Sequence, residues 1–180
     1  MAELSATARF EIEAAPDRLA LVQELLNTAP VGRFPDLLAE TNTAAGWAAS
    51  AGAGGLRLTE TDLAQLRVFR DDLRSLSRGS HEGPLSWTGA AALEMGAAGK
   101  VALLPRGEGA AYLISKVLAV VLEAQQVDTW RRLKTCRNPR CQVAFYDRSR
   151  NNSGAWHNVK TCGNQANLRA HRARIREETS

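Results

Sequence analysis

The chain's three cysteines lie in a single stretch, TCRNPRCQVAFYDRSRNNSGAWHNVKTCGNQANLRAHRAR, and their spacing constrains what these residues can fold into. Cys136 and Cys141 form a C-x4-C pair, and His157 and Cys162 form an H-x4-C pair fifteen residues further on. Two tight pairs bridged by a loop suit one tetrahedral ion, because Zn²⁺ accepts four sulfur or nitrogen ligands without directional d-electron preference. Each pair can then sit on a short turn while the intervening loop folds over the metal. The alternatives are a chance clustering or a disulfide. An odd cysteine count and the lack of secretory features argue against a disulfide scaffold. Four protein ligands leave no open position for water, so the expected cofactor is one structural Zn²⁺ held by Cys136, Cys141, His157 and Cys162. A zinc deaminase would need H-x-E followed by P-C-x-x-C, and neither string occurs. Were His157 not a ligand, His171 or Asp147 would be the substitutes.

After Cys162, Gly163 and Asn164 offer a turn and an N-cap, and Gln165 to Arg176 reads as a helix. At about 100° per residue, Leu168 and Ile175 share one stripe, expected to pack on the zinc loop, while Gln165, Arg169, Arg172 and Arg176 share its neighbour. A metal-anchored helix with a cationic edge suits a polyanion. A solvated terminal helix is the plainer reading of the same arginines.

The same residues resemble a known family. Phe145-x-Asp147-x-Ser149-Arg150-Asn151, Trp156, then Cys162-Gly163-Asn164 and a basic helix are similar to the CGNR zinc finger found at the C-terminus of bacterial proteins with an ABATE domain. Members are regarded as stress-induced transcription regulators. The resemblance extends more weakly upstream: Leu25-Leu26-Asn27-Thr28 resembles that family's L-V-N-T signature, and Leu58-Thr59-x-x-Asp62-Leu63 its L-T-x-x-D-L segment. The chain departs from the pattern at three positions. His157 stands where the family usually has cysteine, Gln165 replaces the arginine of C-G-N-R, and Ala155 replaces an arginine common before the tryptophan. The last two changes each remove a cation near the implied contact face.

Charge is divided unevenly along the 180 residues. Residues 131–180 hold twelve Lys/Arg against three acids, a net of +9, whereas residues 1–130 are net −5 with eleven bases and sixteen acids. A basic C-terminal module on an acidic body suits phosphate contact by the tail, the reading favoured here; it equally suits docking of tail on body within one chain or in a homodimer. No apolar run approaches the roughly eighteen residues of a membrane span. Glu3, Glu11 and Glu13 interrupt any signal-like start, so a soluble cytoplasmic protein with no membrane partner is expected.

In chain order, Phe10 and Ile12 alternate with polar neighbours in residues 7–14, which predicts a short edge strand. Leu19, Val22, Leu25 and Leu26 predict a helix after Pro16, with Asn27 and Thr28 as its stop. A second helix is predicted over 34–49 with Leu37, Leu38 and Trp47 in the core, followed by a glycine-rich connector. Thr59 and Asp62 form a capping box, with Leu58 and Leu63 as a hydrophobic staple. The helix they open should bury Leu63, Leu66, Phe69, Leu73 and Leu76, expose Arg67, Arg70, Asp71 and Arg74 as a solvated, salt-bridged face, and stop at Gly79. Glycines and prolines from Gly79 to Gly107 punctuate two or three short antiparallel strands, and His81 reads as a solvated loop residue. Ala110 to Val127 should be the central core helix, leading without a flexible linker through Trp130 into a module that docks on the body. Phe145 and Trp156 are expected in the small core of that module.

The expected architecture is α+β: a mainly helical, ABATE-like body with a short antiparallel sheet (1–130), followed by a small zinc module ending in a basic helix (131–180). No phosphate-binding glycine loop, nucleophile elbow or H-E-x-x-H occurs, so an enzyme is not expected. The resemblance and the charge distribution together imply a zinc-finger DNA-binding transcription regulator with a sensing body. In it Arg148, Arg150, Arg169, Arg172 and Arg176 would contact nucleic acid, mostly its phosphates. The alternatives are a zinc-stabilised adaptor for an acidic protein partner, such as a component of the transcription machinery, and a small-molecule-binding body with an accessory finger. For the last, Asn27, Trp47 and Trp87 are the candidate pocket residues.

Overall fold

The computed structural model describes residues 5–178; within the last helix the side chains of Ala170, His171, Ala173, Arg174, Glu177 and Glu178 lie outside the description. Helices α1 (Leu19–Asn27), α2 (Thr41–Ser50), α3 (Glu60–Arg78) and α4 (Gly109–Gln126) pack around one apolar core, and a hairpin of β1 (Ala90–Met95) and β2 (Val101–Arg106) lies against α4. A second hairpin, β3 (Leu133–Thr135) with β4 (Ala144–Tyr146), begins the C-terminal segment, which ends in α5 (Asn164–Glu178). The fold is α+β, and no described helix is long and apolar enough to cross a membrane.

Local chemistry accounts for the helix ends. The Thr59 hydroxyl accepts from the Asp62 N–H at 3.2 Å while the Asp62 carboxylate accepts from the Thr59 N–H at 2.8 Å, the capping box expected there. Gly79, in the left-handed region at φ 66°, closes α3. The core that follows from these helices contains Trp47, Leu63, Leu66, Phe69 and Leu113, each at most 1% exposed, with α4 in its middle.

Four expectations are corrected. Residues 7–14 contain a 3₁₀ turn (Ala8–Phe10) instead of an edge strand, and among the described residues no strand pairs with them. There Arg9 donates to the carbonyls of Ala29 (2.7 Å) and Pro35 (2.8 Å), and Phe10 meets Phe34 edge-on at 5.1 Å. The second helix starts at Thr41, not Phe34: a residue before proline disfavours helical backbone, and Asp36 instead turns the chain by accepting from the Leu38 N–H at 2.9 Å. Leu76, expected inside, is 43% exposed. The fourth concerns Arg70 and Arg74, which are 3% and 9% exposed instead of solvated: Arg70 is paired with Asp36 and bonded to Thr28 in the loop after α1, and Arg74 donates to the Gln142 carbonyl of the C-terminal segment. Between α3 and α4 only two strands form. Trp87 packs instead on Phe69 at 5.0 Å and donates to Asp72 at 2.8 Å, and His81 bridges Ser75 and the Gly83 carbonyl.

The C-terminal segment is seated on the body through polar groups of α1. The buried Asn27 amide accepts from the Ala144 N–H (2.8 Å) and donates to the Ala144 carbonyl (3.0 Å), completing the outer edge of β4 as a neighbouring strand would. Leu133 and Ala144 belong to the same buried cluster as the body helices.

Candidate metal centre

The hairpin turn between β3 and β4 is the first half of the site. Cys136 donates its backbone N–H to Val143 (2.9 Å), and the Asn138 carbonyl accepts from Cys141 (2.9 Å) and Gln142 (3.2 Å), so the chain doubles back and both thiols face one point. The second half comes from a π-type turn, Val159–Gly163, that runs directly into α5. Asn158 caps it, accepting from the Thr161 N–H at 3.1 Å. The cap is therefore Asn158, not Asn164, and Cys162 sits inside the helical run. Gly163 lies against Trp156, where a Cβ would meet the indole at 3.3 Å.

The four expected ligands converge: one donor atom from each of Cys136, Cys141, His157 and Cys162 lies within 4.8 Å of every other. His157 presents Nδ1, 3.3 Å from Cys141 Sγ and 3.7 Å from Cys162 Sγ. Tetrahedral zinc with ordinary Zn–S and Zn–N bonds spaces its ligand atoms about 3.5–3.8 Å apart, so the set fits the ion. Its electrostatics point the same way. The Cys136 thiol is held well below its usual range, first by the hydrogen bond from Cys141, then, against the cost of burial, by His157 and by backbone N–H groups of Asn138 and His157. Cys141, the donor in that bond, is pushed up. Thiolates packed this close repel one another, and a divalent cation removes the conflict. Cys136 and Cys162 pack with Phe145, and Trp156 and Ile12 cover them, which places both expected aromatics in this small core.

Residues 132–175 match the CGNR zinc finger family. No curated protein matches the chain. The CGNR finger with its Cys₃His cluster takes one structural zinc ion.

Asn138, between the first two cysteines of the finger, went unnoticed in the sequence. It is 3% exposed and uses its full hydrogen-bonding capacity: Nδ2 donates to Cys162 Sγ (3.3 Å) and Gln165 Oε1 (3.2 Å), while Oδ1 accepts from the Arg140 N–H (3.3 Å) and Arg169 Nη2 (2.9 Å). It thus ties a ligand sulfur to the first turns of α5. Gln165 contributes an acceptor here, which the family's arginine could not do.

Asp147 braces the loop. Burial alone would raise its pKa, but Lys134 Nζ at 2.6 Å and the Ser149 and Gly154 N–H groups at 2.9 and 2.7 Å outweigh it and hold the carboxylate well below its usual range. A Cβ on Gly154 would lie 2.7 Å from Asp147 Oδ1, so only glycine fits.

The five arginines expected to meet nucleic acid are not equivalent. Arg148 is a brace: it pairs with Glu13 (2.8 Å), donates to the Ala14 carbonyl (2.8 Å) and covers the Tyr146 ring. Arg169 is partly engaged by Asn138 and by the Gln165 carbonyl. Arg150, Arg172 and Arg176 are exposed. Leu168 and Ile175, expected on the zinc loop, are 54% and 46% exposed, because the finger fills its core with aromatics and sulfur before α5 begins. Asn27, Trp47 and Trp87 are each engaged elsewhere: Asn27 clamps β4, Trp47 is fully buried, and Trp87 packs on Phe69 of α3.

Proposed function

We propose that the chain is a DNA-binding regulator, not an enzyme, in which zinc fixes α5 as a phosphate-contacting element and residues 1–130 form an ABATE-like sensing body. The observation that carries this reading is the link from Cys162 through Asn138 to Arg169, which gives the basic helix a rigid base at the metal. Arg169, Arg172 and Arg176, with Arg150 in the loop, neutralise backbone phosphates, and Arg148 is withdrawn from that role. Duplex DNA titrated at two salt concentrations should bind with affinity that falls steeply as salt rises. Arg172→Gln should weaken binding across sequences and reduce the log–log salt slope by about 1. Flat or absent binding removes the reading.

A second reading, a protein adaptor, is favoured by the exposed Leu168 and Ile175 beside those arginines. It predicts nuclease-resistant binding to an acidic protein that is lost in Leu168→Glu.

A further inference from the structure

Where the finger meets the body, a cleft of about 890 Å³ opens between α3 and the Pro139–Gln142 knuckle. Its volume lies in the range of small-molecule sites. Four arginines of α3, at positions 67, 70, 74 and 78, line one side, and Arg140 faces them from the finger. The two acids present are committed: Asp36 accepts from Arg70 through both oxygens (2.7 and 3.0 Å), and Asp71 accepts from Arg70 Nε at 3.1 Å.

Arg74 makes no ion pair among the described residues. It is 9% exposed, its Nη2 donates to the Gln142 carbonyl at 2.8 Å, and its buried Nε has no partner among the described residues. Burial, and then the neighbouring Arg70 charge, depress its pKa. A buried guanidinium with an unused donor is costly unless an anion pairs with it. Arg67 donates to the Leu38 carbonyl at 2.7 Å, and Arg67, Arg78 and Arg140 make no ion pair among the described residues.

We infer that the cleft between α3 and the zinc knuckle binds a small anion, carrying a carboxylate or phosphate group that pairs with Arg74 and is flanked by Arg78 and Arg140. The planar fork of arginine matches either group. This deepens the sensing role proposed for the body and rests on it for regulation only: an anion held against the Gln142 turn would couple occupancy to the seating of the finger. Binding itself follows from the cleft whether or not the chain contacts DNA.

Calorimetric titration of the zinc-loaded full chain with inorganic phosphate and, separately, succinate, each against chloride at matched ionic strength, tests this. Saturable binding of either anion at one site is expected, and the pair of probes distinguishes phosphate from carboxylate. Arg74→Met should lower the affinity at least tenfold. Arg140→Gln, which replaces an exposed side chain on the finger, should lower it several-fold with unchanged melting of the anion-free chain. Arg57→Gln, outside the cleft, should change nothing. Responses no larger than chloride's, or equal affinities in Arg74→Met, Arg140→Gln and the parent, would overturn the proposal. So would displacement of the anion by stoichiometric duplex DNA, which would assign the cleft to the DNA interface. Anion binding in a chain that does not bind DNA would leave the site standing and remove only the regulator reading.

Discussion

The body and the finger solve the same problem, excluding water from a core, with different materials. In the body, Trp47, Phe69, Leu113 and their neighbours from four helices are nearly inaccessible, and apolar burial supplies the stability. In the finger, Leu133 and Ala144 join the core of the body, and the cluster of its own around the ligands is Cys136, Phe145 and Cys162, partly covered by Ile12, Cys141 and Trp156. So small a core cannot hold a fold, and three polar devices take over: the metal ligands, the Asp147–Lys134 brace and the Asn27 clamp. A region held by apolar area tolerates changes of charge and metal. A region held by ligands and ion pairs fails when one partner is removed.

Removing the metal should break the comparison most visibly. Structural zinc contributes roughly 10–16 kcal/mol in small fingers. Chelation should therefore abolish hydrogen-exchange protection across residues 133–163 while α4 stays protected. A single transition that unfolds the whole chain would show that the two regions are not separable. His157→Ala should lose the ion by elemental analysis, whereas His157→Cys should retain it.

The next largest effect is expected at the brace. Asp147→Asn leaves Lys134 facing uncharged oxygens and should cost about 3–5 kcal/mol, read from chemical denaturation of the zinc-loaded chain. The pH dependence follows from the direction of the shift. A carboxyl lowered in the folded state contributes its stability in full above its unfolded pKa of about 4, and loses it as the pH falls through the lower folded value. Parent and Asp147→Asn should thus converge in stability on acidification below about pH 4. A constant difference between them down to strongly acidic pH would remove the ion pair as the cause.

The smallest of the three effects is expected at the clamp. Asn27→Ala leaves the buried Ala144 N–H without its acceptor and should cost about 1–3 kcal/mol, with faster amide exchange at Ala144. Unchanged exchange there would mean the apolar contacts of Leu133 and Ala144 seat the finger unaided.

What the sequence determined by itself was local or periodic. The capping box at Thr59 and Asp62, the stop at Gly79, the buried face of α4 from Leu113 to Ala124 (Val127, expected with it, lies past the helix end and is 68% exposed) and the ligand spacing of the finger all depend on neighbours a few residues apart, and such interactions are written directly in the chain. Only the tertiary structure decided the rest. Arg70 and Arg74 occupy positions that a helical wheel assigns to solvent, yet Asp36 and Thr28 close on the first and the Gln142 turn on the second. Asn27 reads as a helix stop until β4, 117 residues away, supplies its partners. Arg148 looks like a free cation until the N-terminal segment brings Glu13 beside it, and Leu168 looks like a core residue until the finger's core is already full. In each case the deciding contact lies far along the chain, where residue type and spacing carry no record of which surface will arrive.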